Sequence, residues 1–224
     1  MAFTMLDVKK RIRLYIKPDV GSLIDDWIRA GQEYLEDELR IRPMQKLATG
    51  TISDAVNVLA VPSDYIEIIS LSIIKNDVRT ILNKVSDTRL FLANFTDKAT
   101  TNEGQPGYFT RITDNFQFNS YTDQAYSYEL YYWSKLTTLT LDSDANWFVI
   151  NSINLLVFAS LVEAATYLLS NNQVVDKFGR AILLNNDIVY WERERDKLLD
   201  RVRLRDIKEK IAFNKKGDYP INVF

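Results

Sequence analysis

The sequence predicts an α+β fold that is mainly helical, with helices toward both ends of the chain and a β-rich segment between them. Apolar residues recur at helical spacing near the N-terminus. The middle changes to short runs rich in β-branched and aromatic residues, and the back half holds a nearly all-apolar helix followed by a nearly all-charged one. We expect a single domain over residues 1–224, in which residues 1–43 and 144–213 form a helical bundle, residues 46–135 a central antiparallel β insertion, and residues 214–224 an extended tail.

The first predicted helix spans about Thr4 to Lys17. Thr4 and Asp7 match a capping box, in which the threonine hydroxyl and the aspartate carboxylate satisfy free amides at the helix start. The buried side is expected to contain Val8, Ile12, Tyr15 and Ile16. A basic face is formed by Lys10, Arg13 and Lys17. This face is a candidate contact for DNA phosphates, but we favour its interpretation as the solvated side of an ordinary helix.

The second predicted helix begins at Ser22 and ends before Pro43. Ser22 and Asp25 have the spacing of another capping box. Its acidic residues are expected to lie mostly on the solvent-exposed side: Glu33, Glu36, Asp37 and Glu38. Paired catalytic acids are the alternative interpretation of this cluster, and solvated charge is favoured because such runs on a helix usually face water.

The middle of the chain is predicted to form short strands. Ile66 to Ile74 is rich in isoleucine, Asn76-Asp77 is a turn, and Val78 to Leu82 is a return strand. A short helix is predicted at Ser86–Ala93, and further strands at Tyr108–Ile112, Phe116–Tyr121 and Tyr126–Trp133. Alternation along the last strand places four side chains on one face, namely Tyr126, Tyr128, Leu130 and Tyr132.

A nearly all-apolar helix is predicted from about Asn146 to Leu169, with Asp142-Ser143-Asp144 as its cap. It is about long enough to cross a bilayer. We interpret it as a buried helix instead, because polar residues interrupt it at Asn151, Asn154 and Glu163. A helix that is apolar all round must be enclosed on every side. Copies of the same chain are an obvious way to enclose it, which favours a ring or an array.

The last predicted helix, from about Asn185 to Phe213, carries two apolar stripes. One contains Ile188, Trp191, Leu198, Leu199 and Val202. The other lies roughly on the opposite side and contains Leu204, Ile207 and Ile211. Either the helix bends or breaks near Arg203, or its end packs on a neighbouring subunit.

The tail that follows the last helix ends in apolar and aromatic residues, which are costly to leave in water. We expect it to dock on another surface through Tyr219, Pro220, Ile221, Val223 and Phe224.

The composition weighs against catalysis. The chain has no Cys and no His, which removes disulfides, thiolate metal sites and the commonest general base. Its net charge of −2 predicts neither nucleic-acid binding nor membrane attraction from bulk electrostatics. No phosphate-binding loop is present, and Asp142-Ser143-Asp144 lacks the spacing of a calcium loop. We expect a protein that is not an enzyme and has no cofactor or metal; a carboxylate-based hydrolase is the less favoured alternative.

Five short motifs follow the N-terminal helix pair in order: Val61-Pro62-Ser63-Asp64-Tyr65, Gly104-Gln105-Pro106-Gly107-Tyr108, Leu130-Tyr131-Tyr132, Asn146-Trp147-Phe148 and Glu163-Ala164-Ala165. In this order the chain resembles the head-to-tail adaptor (head-completion) proteins of tailed bacteriophages, which are related in plan to the tail tubular proteins of podoviruses. The corresponding family patterns are Leu-Pro-x-Asp-Phe, Gly-x-Pro, Leu-x-Tyr-Tyr, Asn-Trp-Leu and Glu-Ala. The loop from Thr96 to Gly107 and the tail after Lys210 have no family pattern that we can map onto them.

The resemblance implies a structural protein of the virion neck, present in the host cytoplasm during assembly. Such adaptors form a ring, typically of twelve copies, that docks under the portal protein, helps to retain packaged DNA and provides the platform for tail or nozzle proteins. DNA would pass through the lumen without sequence-specific binding, and no membrane would be involved. The tail would then contact the portal, the second stripe of the last helix a neighbouring subunit, and the basic face of the first helix DNA or portal. A tail or baseplate protein of the same plan is the alternative.

Overall fold

The part of the chain that the computed structural model describes comprises residues 3–16, 23–95, 103–170 and 185–214. In these residues the fold is α+β, as predicted. The chain divides into two compact units. The helical unit contains residues Met1–Pro43 and Leu136–Phe224, and the β unit contains residues Met44–Lys135.

The elements are numbered in chain order. The helices are α1 (Met5–Tyr15), α2 (Leu23–Glu38), α3 (Thr88–Phe95), α4 (Trp147–Asn151), α5 (Ile153–Ser170) and α6 (Asn185–Asn214), with a short 3-10 helix at Arg42–Met44. The strands are β1 (Gln45–Ile52), β2 (Val58–Ala60), β3 (Tyr65–Lys75), β4 (Val78–Ile81), β5 (Asn83–Lys84), β6 (Tyr108–Ile112), β7 (Asn115–Phe118) and β8 (Tyr126–Ser134).

Helix α5 packs against α1, α2, α4 and α6 of its own chain. By length and composition α5 could cross a membrane, yet 67% of it is buried inside the protein. The predicted buried helix is therefore confirmed. Helices from the two ends of the same chain provide this burial, and the expectation that further copies of the chain complete it stays a prediction.

The crossing of α2 and α5 is close at Gly31. A Cβ atom at this position would lie 2.7 Å from the backbone nitrogen of Ser160. Because that neighbour is backbone, it cannot move aside as a flexible side chain could. Glycine permits this approach since it has no Cβ.

The apolar segment forms two helices where the sequence predicts one. Helix α4 ends at Asn151, Ser152 adopts φ −151° and ψ 44°, and α5 begins at the next residue. The N-cap of α4 is Asn146, whose side chain accepts a hydrogen bond from the Val149 amide at 3.2 Å. This pattern is the usual one for a helix start, because an Asn side chain satisfies an otherwise unpaired amide.

The predicted cap at Asp142-Ser143-Asp144 is wrong. The carboxylate of Asp144 accepts hydrogen bonds from the amides of Thr140 and Leu141, at 2.8 Å each, and so closes a turn within its own loop. The carbonyls of Asp144 and Asp142 accept from the amides of Met5 and Leu6, at 2.8 and 3.1 Å. This loop therefore caps α1 instead of the helix that follows it.

Helix α1 begins as predicted. Asp7 accepts a hydrogen bond from the Thr4 amide at 3.1 Å, and this bond lowers the pKa of its carboxyl. Met5, Val8 and Ile12 are buried, and Ile16 is buried just after the helix. Tyr15 was expected to be buried but is 44% exposed. One side of its ring contacts Phe158 and Trp191 at the edge of the core, and the rest of the ring faces solvent.

Helix α6 is continuous through Arg203, so the predicted break at that residue is absent. Trp191, Leu199 and Val202 are buried, while Leu204, Ile207 and Ile211 are exposed. The second capping box, at the start of α2, falls on Ser22, which lies outside the described residues. Asp25, the other residue of the predicted box, forms an ion pair with Lys9 at 2.6 Å.

The β unit contains two four-stranded sheets, with strand orders β1-β8-β3-β4 and β2-β7-β6-β5. All pairs are antiparallel except β5 with β6, which is parallel and departs from the expected antiparallel pattern. The core of this unit contains side chains from both sheets, including Leu71, Phe109, Phe116, Tyr126 and Leu130.

Local signals predicted β3, β4, β6, β7 and β8, whereas β1, β2 and β5 were not predicted. The Asn76-Asp77 turn joins β3 to β4, and both residues have positive φ, 49° and 63°. Positive φ at both central residues belongs to the two-residue hairpin turn that matches strand twist. The predicted face of β8 is also confirmed, since Tyr126, Leu130 and Tyr132 are buried and Tyr128 is half-buried.

Candidate assembly surfaces

An exposed apolar stripe runs along the end of α6. Leu204, Ile207 and Ile211 are 55%, 49% and 50% exposed. They recur at helical spacing, so they lie on one face over about 10 Å of helix. The core-facing residues of the same helix, such as Trp191 and Val202, lie on a different side. The proposed subunit-contact residues therefore face away from the core of their own chain.

The basic face of α1 is only partly within the described residues. Lys10 is exposed and lies 3.5 Å from Asp7, and Arg13 is exposed. Lys17 lies outside the described residues. Two other cations of α1 contact the rest of the fold: Lys9, whose Nζ lies 2.6 Å from both Asp25 and Asp142, and Arg11, which donates a hydrogen bond to Asn154.

The predicted portal-contact residues of the tail are Tyr219, Pro220, Ile221, Val223 and Phe224. All five lie outside the described residues, so the structure says nothing of their position. The tail begins after α6, whose described end is Asn214.

An open groove of about 420 Å³ lies at the break between α4 and α5. This volume is within the range of about 300–1,000 Å³ that is typical of ligand pockets. Its apolar lining includes Phe3, Ile150, Ile153, Leu155, Leu198 and Val202. Its polar lining comprises Asn151, Ser152, Asn154, Arg201 and Arg205. We call this feature the break groove.

The two asparagines that interrupt the predicted apolar helix have their explanation at this break. Asn151 donates from Nδ2 to the Trp147 carbonyl at 3.2 Å. Asn154 accepts a hydrogen bond from the Arg11 guanidinium. Both side-chain amides line the groove, where they have hydrogen-bond partners. In the apolar interior an amide without such a partner would be costly.

Arginines give the break groove a positive rim. Arg205 donates to the Ser152 hydroxyl at 3.3 Å, and its Cζ lies 5.6 Å from the centre of the Trp147 ring. Within the described residues, neither Arg205 nor Arg201 has a carboxylate at ion-pair distance, although other guanidinium groups do, such as that of Arg203 with Glu38 at 2.9 Å.

A buried polar cluster in the helical unit was missed by the sequence analysis. Glu36, expected on the solvent side, is only 3% exposed. Its Oε1 accepts from Gln32 Nε2 at 2.8 Å and from the Leu136 amide at 3.0 Å. Asn146 donates to Gln32 Oε1 at 3.0 Å. These hydrogen bonds fix the chain at Leu136, where the helical unit resumes, and they position Asn146, the N-cap of α4.

The turn at Asp64 joins three strands of the β unit. The Asp64 carboxylate accepts hydrogen bonds from Lys46 on β1 and from the Tyr132 hydroxyl on β8, the latter at 3.0 Å. Burial alone would raise the pKa of Asp64, but these hydrogen bonds outweigh it and the pKa is lowered. Burial, together with the hydrogen bond to Asp64, raises the pKa of Tyr132 to about 12. The adjacent Tyr65 stacks on Tyr132, with ring centres 5.9 Å apart.

The Gly104-Gln105-Pro106-Gly107 segment is a fixed turn. The Gly104 amide donates to the Tyr121 carbonyl at 2.8 Å, and Asn119 Oδ1 accepts from the amides of Gly107 and Tyr108 at 2.9 Å each. These bonds hold the start of β6. The preceding residues 96–102 lie outside the described part of the chain.

Three of the acidic residues considered for chemistry have structural roles. Asp142 pairs with Lys9, and Asp144 closes its own loop. Glu36 is the buried hydrogen-bond acceptor described above. Among residues 3–16, 23–95, 103–170 and 185–214, no group of three or more acidic side chains has the arrangement of a metal site.

A comparison with known protein families matches residues 3–209 to the family described as SU10 adaptor protein. The match covers most of the 224 residues and extends over segments of both units. It ends within α6, between Ile207 and Ile211. No curated protein matches the chain.

Proposed function

We propose a function for this chain from the premise that it belongs to the SU10 adaptor protein family, a family of bacteriophage head-to-tail adaptors. Membership makes it a structural component of the virion that associates with portal and tail proteins in the phage neck. We propose that it assembles as a closed homo-oligomeric ring of twelve copies under the portal, helps to retain packaged DNA and provides the platform for tail attachment.

The exposed stripe on α6 carries this proposal. Three aliphatic side chains, Leu204, Ile207 and Ile211, are about half exposed although the rest of the helix has a well-buried face. Contact with a neighbouring copy would remove them from water, at a gain of about 25 cal/mol for each Å² of apolar surface buried. In a ring each copy presents one surface and accepts a different one, and rotation closes the circle.

The remaining contacts of the ring are also proposed. The tail residues Tyr219, Pro220, Ile221, Val223 and Phe224 would bind the portal. The basic residues Lys10, Arg13 and Lys17 would face either the portal or the DNA in the lumen, where phosphates are bound without reading sequence. Assembly would occur in the host cytoplasm before the neck is completed in the virion.

The experiment combines purified chain with the portal of the same phage and images the complex by electron microscopy. We expect a ring of twelve copies bound on the portal axis. A chain that stays monomeric in the presence of portal, at concentrations where both proteins are soluble, would contradict the ring.

A truncation tests the role of the tail separately. Ending the chain at Asn214 keeps the whole of α6 and should leave circular dichroism and thermal unfolding unchanged. We expect it to weaken portal binding, measured by co-sedimentation. Loss of the folded state would instead show that the tail belongs to the core.

The single domain over residues 1–224 and the helical bundle stay predictions, for which one cooperative calorimetric transition is the expected result.

A further inference from the structure

We infer that the break groove is the acceptor site for the α6 stripe of a neighbouring copy. Leu204, Ile207 and Ile211 of one subunit would insert into the groove of the next, and the groove of the first would receive the stripe of the copy on its other side. The inference rests on the proposed ring and names the surface that its stripe meets.

The chemistry of the groove fits this occupant. Its apolar lining, with Ile150 and Leu198 among the residues, suits aliphatic side chains. Ile150 is 55% exposed, so the groove presents apolar surface to water as the stripe does. A volume of about 420 Å³ accommodates several side chains. A concave apolar surface and a convex one of similar character are the two halves of a helix-in-groove contact.

Charge supports the same pairing. Asp200 lies on the face of the stripe, one turn before Leu204, and its side chain is 71% exposed. Its ion pair with Arg203 of its own chain is at 3.6 Å. Arg201 and Arg205 line the groove without a carboxylate partner among the described residues. A stripe that enters the groove would carry Asp200 toward these two guanidinium groups, and Arg–carboxylate pairs are geometrically specific.

The directions of the two surfaces favour a head-to-tail contact. Taking about 100° per residue, the groove residues of α6 (Leu198, Arg201, Val202 and Arg205) and the stripe residues point about 140° apart around the helix. One helix can therefore contact a neighbour on each side through different surfaces. That is the condition for a heterologous contact that closes as a ring, whereas stripe-to-stripe pairing would stop at a dimer.

Cysteine cross-linking tests the contact, because the chain has no Cys of its own. Ile207→Cys and Ile150→Cys are made as single variants of the full chain, mixed in equal amounts, assembled on portal and oxidised. We expect a disulfide-linked dimer from the mixture and none from either variant alone. A chain carrying both substitutions should give a ladder of linked multimers. Leu14→Cys mixed with Ile207→Cys is the matched control, since Leu14 is an exposed aliphatic residue outside both surfaces.

The outcomes separate this inference from the proposed ring. Rings that form on portal without the Ile207–Ile150 cross-link would overturn the groove as acceptor and leave the ring intact. A dimer from Ile207→Cys alone would show stripe-to-stripe pairing and overturn the head-to-tail contact. Absence of any ring by electron microscopy would overturn the proposed function itself.

A charge substitution supplies a second measurement. Arg201→Glu should lower the amount of chain assembled on portal roughly tenfold, as loss of an interface hot spot does, with thermal unfolding of the free chain unchanged. Arg89→Glu, at an exposed arginine on α3 outside both surfaces, is the control and should assemble normally. Equal assembly of both variants would overturn the role given to the groove arginines.

Discussion

The carboxyl group of Glu36 lies inside the helical unit, where it accepts hydrogen bonds from Gln32 and from the Leu136 amide. A sequence signal for this burial exists. Ile28, Gln32 and Glu36 follow one another at four-residue spacing, so they continue the buried row of α2. Its polar identity nevertheless predicted an exposed side chain, because its partner, the Leu136 amide, is 100 residues away in the sequence.

Replacing Glu36 should destabilise the chain. Glu36→Ala leaves the Leu136 amide without its acceptor, which costs about 1–3 kcal/mol for a buried group left unpaired. The Gln32 side chain also loses an acceptor and keeps the longer hydrogen bond to the Thr137 carbonyl at 3.3 Å. Urea unfolding of the purified chain measures the loss. Glu33→Ala, on the exposed side of the same helix, should change the free energy of unfolding by less than about 0.5 kcal/mol. A similar effect of both substitutions would contradict the buried cluster.

Tyr132 makes stability depend on alkaline pH. Its pKa is raised to about 12, first by burial and then by its hydrogen bond to Asp64. A raised pKa contributes stability that is complete below the unfolded value of about 10 and is lost as pH rises through the folded value. We expect the free energy of unfolding to fall between about pH 10 and pH 12. In Tyr132→Phe this part of the fall should disappear, at a cost of about 1–3 kcal/mol at neutral pH for the lost hydrogen bond to a carboxylate.

The control for this prediction is Tyr131→Phe. Tyr131 is the next residue on β8, on the exposed face of the strand. Urea titrations at several pH values should give the same slope for this variant as for the parent chain. An unchanged slope in Tyr132→Phe would show that this phenol does not cause the alkaline loss.

Elements that depend on near neighbours in sequence were predicted, and elements that depend on distant contacts were not. The α1 cap, the Asn76-Asp77 hairpin and the buried face of β8 follow from spacing alone. The break at Ser152 has no Gly or Pro to mark it, so periodicity alone predicts one unbroken helix. The parallel pairing of β5 with β6 joins segments separated by a helix and a loop, and no local pattern indicates it.

Gly31 sets the distance between α2 and α5. Gly31→Ala should destabilise the chain by about 1–3 kcal/mol, because the added Cβ would press on the backbone of Ser160. This destabilisation would outweigh the stabilising effect of helix propensity, which favours Ala over Gly by about 1 kcal/mol. Thermal unfolding measured by circular dichroism decides between them. A variant more stable than the parent would show that the two helices can separate at little cost.

At the scale of the whole molecule, the sequence indicated one side of the proposed assembly contact, which stays a prediction. Leu204, Ile207 and Ile211 were identified because periodicity on α6 separates them from the core-facing residues. The break groove could not be predicted, because its lining comes from three distant segments around residues 3, 150–155 and 198–205. The tail and Lys17 lie outside the described residues, so their proposed contacts stay predictions.

A charge in the stripe should separate assembly from folding. Ile207→Asp places a carboxylate in a proposed apolar contact, and we expect the amount of chain assembled on portal to fall roughly tenfold or more. The free energy of unfolding should change by less than about 0.5 kcal/mol, since Ile207 is about half exposed in the single chain. Leu90→Asp, the same change at an exposed aliphatic residue on α3 outside the proposed contacts, should affect neither quantity. Equal losses of assembly and stability would place Ile207 inside the subunit.

The hydrogen bonds from Met5 and Leu6 to the Asp144 and Asp142 carbonyls have a consequence for synthesis on the ribosome. The Met5 and Leu6 amides at the start of the first helix cannot reach these acceptors until residues beyond 144 have left the exit tunnel, whereas residues 44–135 form a continuous unit that is complete earlier. We therefore expect the β unit to become protease-resistant during translation while the N-terminal helices stay susceptible. Ribosome-arrested chains of increasing length, probed by limited proteolysis, would reveal this order of maturation.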